Sequence, residues 1–254
     1  MRKLFIILFL NTIGTTAFAQ LSPPGLGETK TAFWSAIGVK QKIDAKNSSI
    51  TYLGMGRISG DDTANMFSKP SIMVLNEEVY HKISPNLQYS AALSYRRQHE
   101  YEEFDATETE SVQQEFRLYG RLAYTAHPGQ LEWKTTLREE VRKFYNSEFG
   151  EVPDGFQLRT RFKTQVAIPL DTDKENNLLG SAEALFSITD DAKEGWGNFG
   201  YKESRFCLYY SYAPDSLPVI FDVGYMNDLI GHGHHVTDAS YLALDIIIKN
   251  PFSS

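Results

Sequence analysis

From residue 31 onward, apolar and polar side chains alternate in segments of roughly ten to fourteen residues, and each segment ends in a polar turn. Segment 112–124 (VQQEFRLYGRLAY) shows the rule: Phe116, Leu118 and Leu122 fall on one side, and Glu115, Arg117, Tyr119 and Arg121 on the other. A period of two is the period of a strand. Such stretches run over 31–43, 49–58, 70–82, 86–98, 112–125, 130–145, 156–169, 177–188, 201–213, 217–229 and 239–250, which leaves no room for a second domain.

The connectors differ in kind, and the difference carries topology. Those at 84–86, 127–130, 171–176 and 213–216 are short and rich in Pro, Gly, Asn and Asp, the residues of tight turns. Those at 99–111, 146–155, 189–200 and 230–238 are longer and acidic or glycine-rich. In outer-membrane barrels short turns face the periplasm and long loops face outward. Counting back from the last strand, 31–43 then runs toward the periplasm and the chain starts outside. Single-chain bacterial barrels have even strand counts. The expectation is therefore an all-β, antiparallel transmembrane barrel of twelve strands, with one short strand inside 21–30, or of ten if an N-terminal segment leaves the wall.

Extending the alternation from residue 112 sorts the two faces. The apolar face includes Leu131, Trp133, Leu137, Val141, Phe162, Val166, Phe206, Leu208, Leu242 and Ile246. The other carries Glu115, Arg117, Arg121, Lys134, Arg138, Glu140, Arg142, Arg159, Arg161, Lys163, Glu183, Glu203, Arg205, Asp222, Asp245 and Lys249. A lipid-facing Arg or Lys costs about 2–4 kcal/mol near the midplane, so the ionised face is assigned to the lumen. Mixed signs on neighbouring strands favour a lumen filled by cross-pairing, because an unpaired charge in a partly dry interior is costly. An anion-favouring narrow channel, or a binder of a small anionic solute, is the alternative.

The N-terminus assigns a compartment. Arg2 and Lys3, an apolar run from Leu4 to Leu10, and Ala17-Phe-Ala19 form a cleavable export signal over 1–19, leaving residues 20–254 as the barrel. Cleavage takes the formal net charge from −7 to −9, which disfavours a nucleic-acid partner. The expected surroundings are outer-membrane lipid, lipopolysaccharide and other envelope proteins. A hydrophobic content of 42% would suit a soluble protein equally, whereas 13% aromatic residues suit strands and the aromatic girdles of a membrane barrel. The single cysteine, Cys207, has no internal partner and is read as a packing residue.

Chemistry is sparse. His232, His234 and His235 in the last loop are the one cluster of metal-ligand type, but no thiolate accompanies them and a solvated loop is the stronger reading. Ser94, Ser181 and Ser211 are inward serines with no histidine in a shared motif, so no nucleophile is assigned. Glu100, Glu102, Glu103, Asp105, Glu108 and Glu110 read as a solvated acidic loop, without the spacing of a calcium loop. The expectation is no cofactor, no metal and no catalytic site.

Several segments together resemble a family: 24–27 (PGLG) with Trp34, 92–98 (ALSYRRQ), 114–117 (QEFR), 137–142 (LREEVR), 158–161 (LRTR), 181–185 (SAEAL), 203–206 (ESRF) and 224–227 (GYMN). The chain is similar to the bacterial proteins grouped as domain-of-unknown-function family 2490, small barrels of Gram-negative outer membranes. The resemblance implies the barrel and brings no catalytic residues. Many barrel proteins finish on an aromatic residue, whereas here Ser253 and Ser254 follow Phe252. The functional expectation is a structural component or partner subunit of an envelope assembly, ahead of the solute channel or binder and of an envelope lipid-modifying enzyme.

Overall fold

The structure, a computed structural model, describes residue 29 and residues 31–60, 63–104, 107–232 and 235–252. Its strands in chain order are β1 (Thr31–Lys42), β2 (Asn47–Ile58), β3 (Lys69–Lys82), β4 (Leu87–Phe104), β5 (Thr107–Ala126), β6 (Glu132–Tyr145), β7 (Glu151–Pro169), β8 (Asn176–Asp191), the two-residue β9 (Gly195–Trp196), β10 (Gly200–Tyr212), β11 (Val219–His232) and β12 (His235–Lys249). Among the described residues there is no helix. The expected export signal, the lead over 21–28 and the side chains of the last-loop histidines lie outside the described residues.

Each long strand pairs with its neighbours in sequence, β10 docks directly on β8, and β9 is a short addition to β8. The ring closes through β1 and β12, which run parallel, with Ala32 beside Tyr241, Ala36 beside Asp245 and Lys40 beside Lys249. The wall therefore has eleven strands rather than twelve or ten. Nothing intervenes between β1 and β12, so the ring holds no place for a further strand from 21–30. The physical reason is simple. Both strands run toward the turn rim, and a parallel ladder satisfies the backbone groups of both edges nearly as well as an antiparallel one.

Tight turns gather at one rim. In the β1–β2 turn, Asp44 accepts hydrogen bonds from Lys46 N (2.7 Å), Asn47 N (2.8 Å) and Asn47 Nδ2 (2.6 Å). The Asn47 side chain and these amides hold its carboxyl below the usual range. At the opposite rim the acidic segment over 99–111 is not a loose loop: β4 and β5 stay paired out to Phe104 and Thr107, well past the last β3 pairing at Gln98. Alternating Tyr101, Thr107 and Thr109 suit a ladder, and pairing satisfies backbone groups that a loop would leave to water.

Alternation places the faces as expected for the wall. Leu93 and Leu118 are each 59% exposed on the outside, whereas Glu140 is 2% and Arg161 5% exposed within. The interior has two halves. On the side of β1–β3 and β10–β12, Trp34, Ile50, Tyr209, Met226, Tyr241 and Ile247 form an apolar core, and the partly buried Cys207 packs against it. Two glycines make room for its largest rings: a Cβ on Gly54 would lie 2.2 Å from the Trp34 ring, and one on Gly224 would lie 2.4 Å from the Tyr209 ring. Gly54→Ala and Gly224→Ala are each expected to cost about 1–3 kcal/mol through overpacking, read as a lower denaturant midpoint. Unchanged midpoints in both variants would contradict this packing.

Candidate functional site

The other half of the lumen is an ion network built on β3 to β8, β10 and one end of β11. Its first centre is Glu115 on β5. Arg142 of β6 holds it with two bonds, Nε to Oε1 at 2.7 Å and Nη2 to Oε2 at 2.8 Å. Arg117 Nε donates to the same Oε1 at 2.8 Å, and Arg96 Nη1 of β4 lies 3.9 Å from Oε2. Arg117 and Arg142 are directly opposed across the β5–β6 ladder, a like-charge pairing that would be destabilising without the shared carboxylate.

Glu140 of β6 is the second centre. Arg161 Nη1 of β7 donates to it at 3.2 Å, Arg117 Nε stands 3.5 Å away, and Arg138 Nε lies at 2.7 Å as an ion pair out of hydrogen-bond alignment. Arg161 also grips Glu183 of β8 through two bonds, 3.0 Å from Nε and 2.6 Å from Nη2. Such forks are the strong form of a charge-assisted hydrogen bond. Further round, Arg205 of β10 bonds Glu203 and stands 3.4 Å from Asp228 of β11, while Arg159 reaches Glu203 at 3.9 Å. At the other end, Glu78 of β3 accepts from Ser90 Oγ (2.5 Å) and Tyr119 Oη (2.9 Å) and pairs with Arg121 at 3.3 Å. The Arg138 guanidinium sits 3.5 Å from the centroid of the Tyr119 ring, a cation–π contact.

Glu115, Arg117, Arg121, Arg138, Glu140, Arg142, Arg159, Arg161, Glu183, Glu203 and Arg205 thus meet in one network. Asp222 and Asp245 do not. They are partners of each other across β11 and β12 in the apolar half, where Asp245 accepts a 3.0 Å hydrogen bond from Trp34 Nε1. Their expected share in the cross-pairing of the ionised face is corrected by their angular position in the ring. Three members escaped the sequence reading: Glu78, Arg96 and Asp228. Alternation reaches all of them, Asp228 by continuing the Asp222 face along β11, and Glu78 and Arg96 by applying the same period before residue 112.

Conventional chemistry is thin. Among the described residues no histidine bonds a serine: His81 meets Asn47, His99 meets Glu110 and His127 lies near Glu132. Among the described residues no group of three His, Cys, Asp or Glu is placed to hold a metal ion. What the arrangement can do is bar the lumen. Long buried arginine side chains fill it and end on carboxylates of their own or nearby strands, so passage of a solute would require displacing several buried ion pairs.

No curated protein and no solved structure matches the chain at a significant level. A family model described as "Protein of unknown function (DUF2490)" does match, over residues 31–238, from the first residue of β1 into β12 and so across every strand of the ring. By that match, the chain belongs to the DUF2490 family.

Proposed function

We propose that the protein is an outer-membrane barrel, exported by the signal over 1–19, whose occluded lumen suits a structural or partner role in the envelope rather than open conduction. The observation that carries this reading is an inversion of ordinary burial: the wall exposes Leu53, Leu75, Leu93, Leu118, Leu137, Phe162, Leu208 and Leu242 while arginines and glutamates are packed within. Water is a poor solvent for such a wall and lipid a good one.

Exposed aromatic residues stand toward both ends of the wall. Tyr89, Tyr124, Trp133, Tyr210 and Tyr212 lie near the turn rim, and Phe116, Phe149, Trp196 and Phe199 nearer the loops. This is the placement of interfacial girdles. Two carboxylates interrupt the belt, Glu139, which accepts from Thr160 Oγ1 at 2.8 Å, and Glu77, which bonds Thr51. Acids in a lipid-facing wall cost less than Lys or Arg. By turn length, the tight turns face the periplasm and the β4–β5 hairpin projects outward.

Cell fractionation and gel mobility test the reading. A ladder closed on itself is expected to survive mild SDS and to change mobility only on boiling, with the protein in the outer-membrane fraction. Release into the soluble fraction by osmotic shock would refute it.

A further inference from the structure

At the turn rim the lumen opens into a cavity of about 460 Å³ with a basic wall. Lys40 on β1, Lys82 on β3 and Lys249 on β12 line it at the inward positions of their strands, and Lys42 and Lys46 join them around the β1–β2 turn. Lys40 and Lys249 are direct partners across the parallel seam. Like charges side by side on one face of a ladder repel. Lys134 and Lys82 add to the positive potential at Lys40, which Glu132 offsets only in part.

The acids lining the cavity, Asp44, Asp173 and Asp215, are outnumbered by its six lysines, Lys174 included, so the wall stays net positive. Asp44 is committed to the amides of its own turn. Among the described residues Lys42, Lys46, Lys82 and Lys249 stand in no ion pair, unlike the arginines deeper in the lumen. The division of labour is chemical. Arginine forks hold the carboxylates of the network, whereas the vestibule offers lysines, compact ammonium groups that bind phosphate as point charges. The cavity is also of small-molecule size, within the roughly 300–1,000 Å³ usual for such sites.

We propose that this vestibule is a binding site for a small solute carrying two or more phosphate groups, entering from the turn rim and stopped by the ion network above it. The inference rests on the closed ring and not on the compartment that holds it, so it stands or falls separately from the membrane reading.

The test uses inorganic pyrophosphate titrated calorimetrically into the purified full chain in non-ionic detergent at low salt. Saturable one-to-one binding is expected. Lys40→Gln with Lys249→Gln should weaken it about tenfold or more, by loss of two charge-assisted contacts. Lys40→Arg with Lys249→Arg should largely restore it, and Lys193→Gln at the opposite rim should leave it unchanged. If the first pair does not fold, judged by heat-modifiable mobility, Lys42→Gln with Lys82→Gln makes the same comparison. Absence of pyrophosphate binding, or equal binding by the glutamine variants, would overturn the proposal. So would a charge-dependent response confined to nanodiscs containing phosphatidylglycerol, which would reassign the lysines to lipid headgroups at the rim.

Discussion

Glu140→Ala is expected to lower the unfolding free energy by on the order of 3–5 kcal/mol, the loss typical of removing one partner from a buried ion cluster. Its carboxylate is shared by Arg138 at 2.7 Å, Arg161 at 3.2 Å and Arg117 at 3.5 Å. Arg138 and Arg161 are direct partners in the β6–β7 ladder, so without the carboxylate two guanidinium groups face each other in a confined interior. Glu183→Ala and Glu203→Ala should cost less, because Arg161 keeps Glu140 and Arg205 keeps Asp228. Glu139, one residue away, is exposed on the outer face, and Glu139→Ala is expected to stay within about 0.5 kcal/mol of the parent as a surface change. Guanidinium unfolding in detergent measures all four. If Glu140→Ala unfolds at the parent midpoint, the lumen is wet and the network is not what holds it.

In planar bilayers the purified barrel is expected to show little or no steady conductance. Wall size alone leaves the matter open, since eleven strands lie between the eight-stranded barrels filled by side chains and the sixteen-stranded porins with an aqueous channel. The side chains decide. Arg142 ties Glu115 to its own strand, Arg161 ties Glu140 to Glu183, and Arg205 ties Glu203 to Asp228, so a belt of buried ion pairs between neighbouring strands fills one half of the lumen. Trp34, Tyr209 and Tyr241 fill the other. A charged solute would have to displace several of these buried pairs to pass. Large, stable, anion-selective openings would overturn the occluded lumen and make a channel the better account of the protein.

The alternation by itself determined which side chains face in and which face out, because a strand has a period of two and a one-residue slip would put Arg117 and Glu140 on the wall's outer face. Connector length likewise set the direction of every strand, and that count already made β1 and β12 run the same way. Closure was a different matter. Whether two parallel edges meet depends on the twist and tilt of the whole wall, which no local segment records, so the expected even count gave way to an eleven-stranded ring. The same limit explains Asp222 and Asp245. Their inward orientation is a local property, but their place among apolar residues rather than arginines is set by position around the ring. Glu78, Arg96 and Asp228 were within reach of the alternation and join the network through contacts across strands. The lysine vestibule was not within reach: Lys40 and Lys249 stand at opposite ends of the chain, and only the parallel seam sets them side by side, where their shared charge gives the turn rim its chemistry.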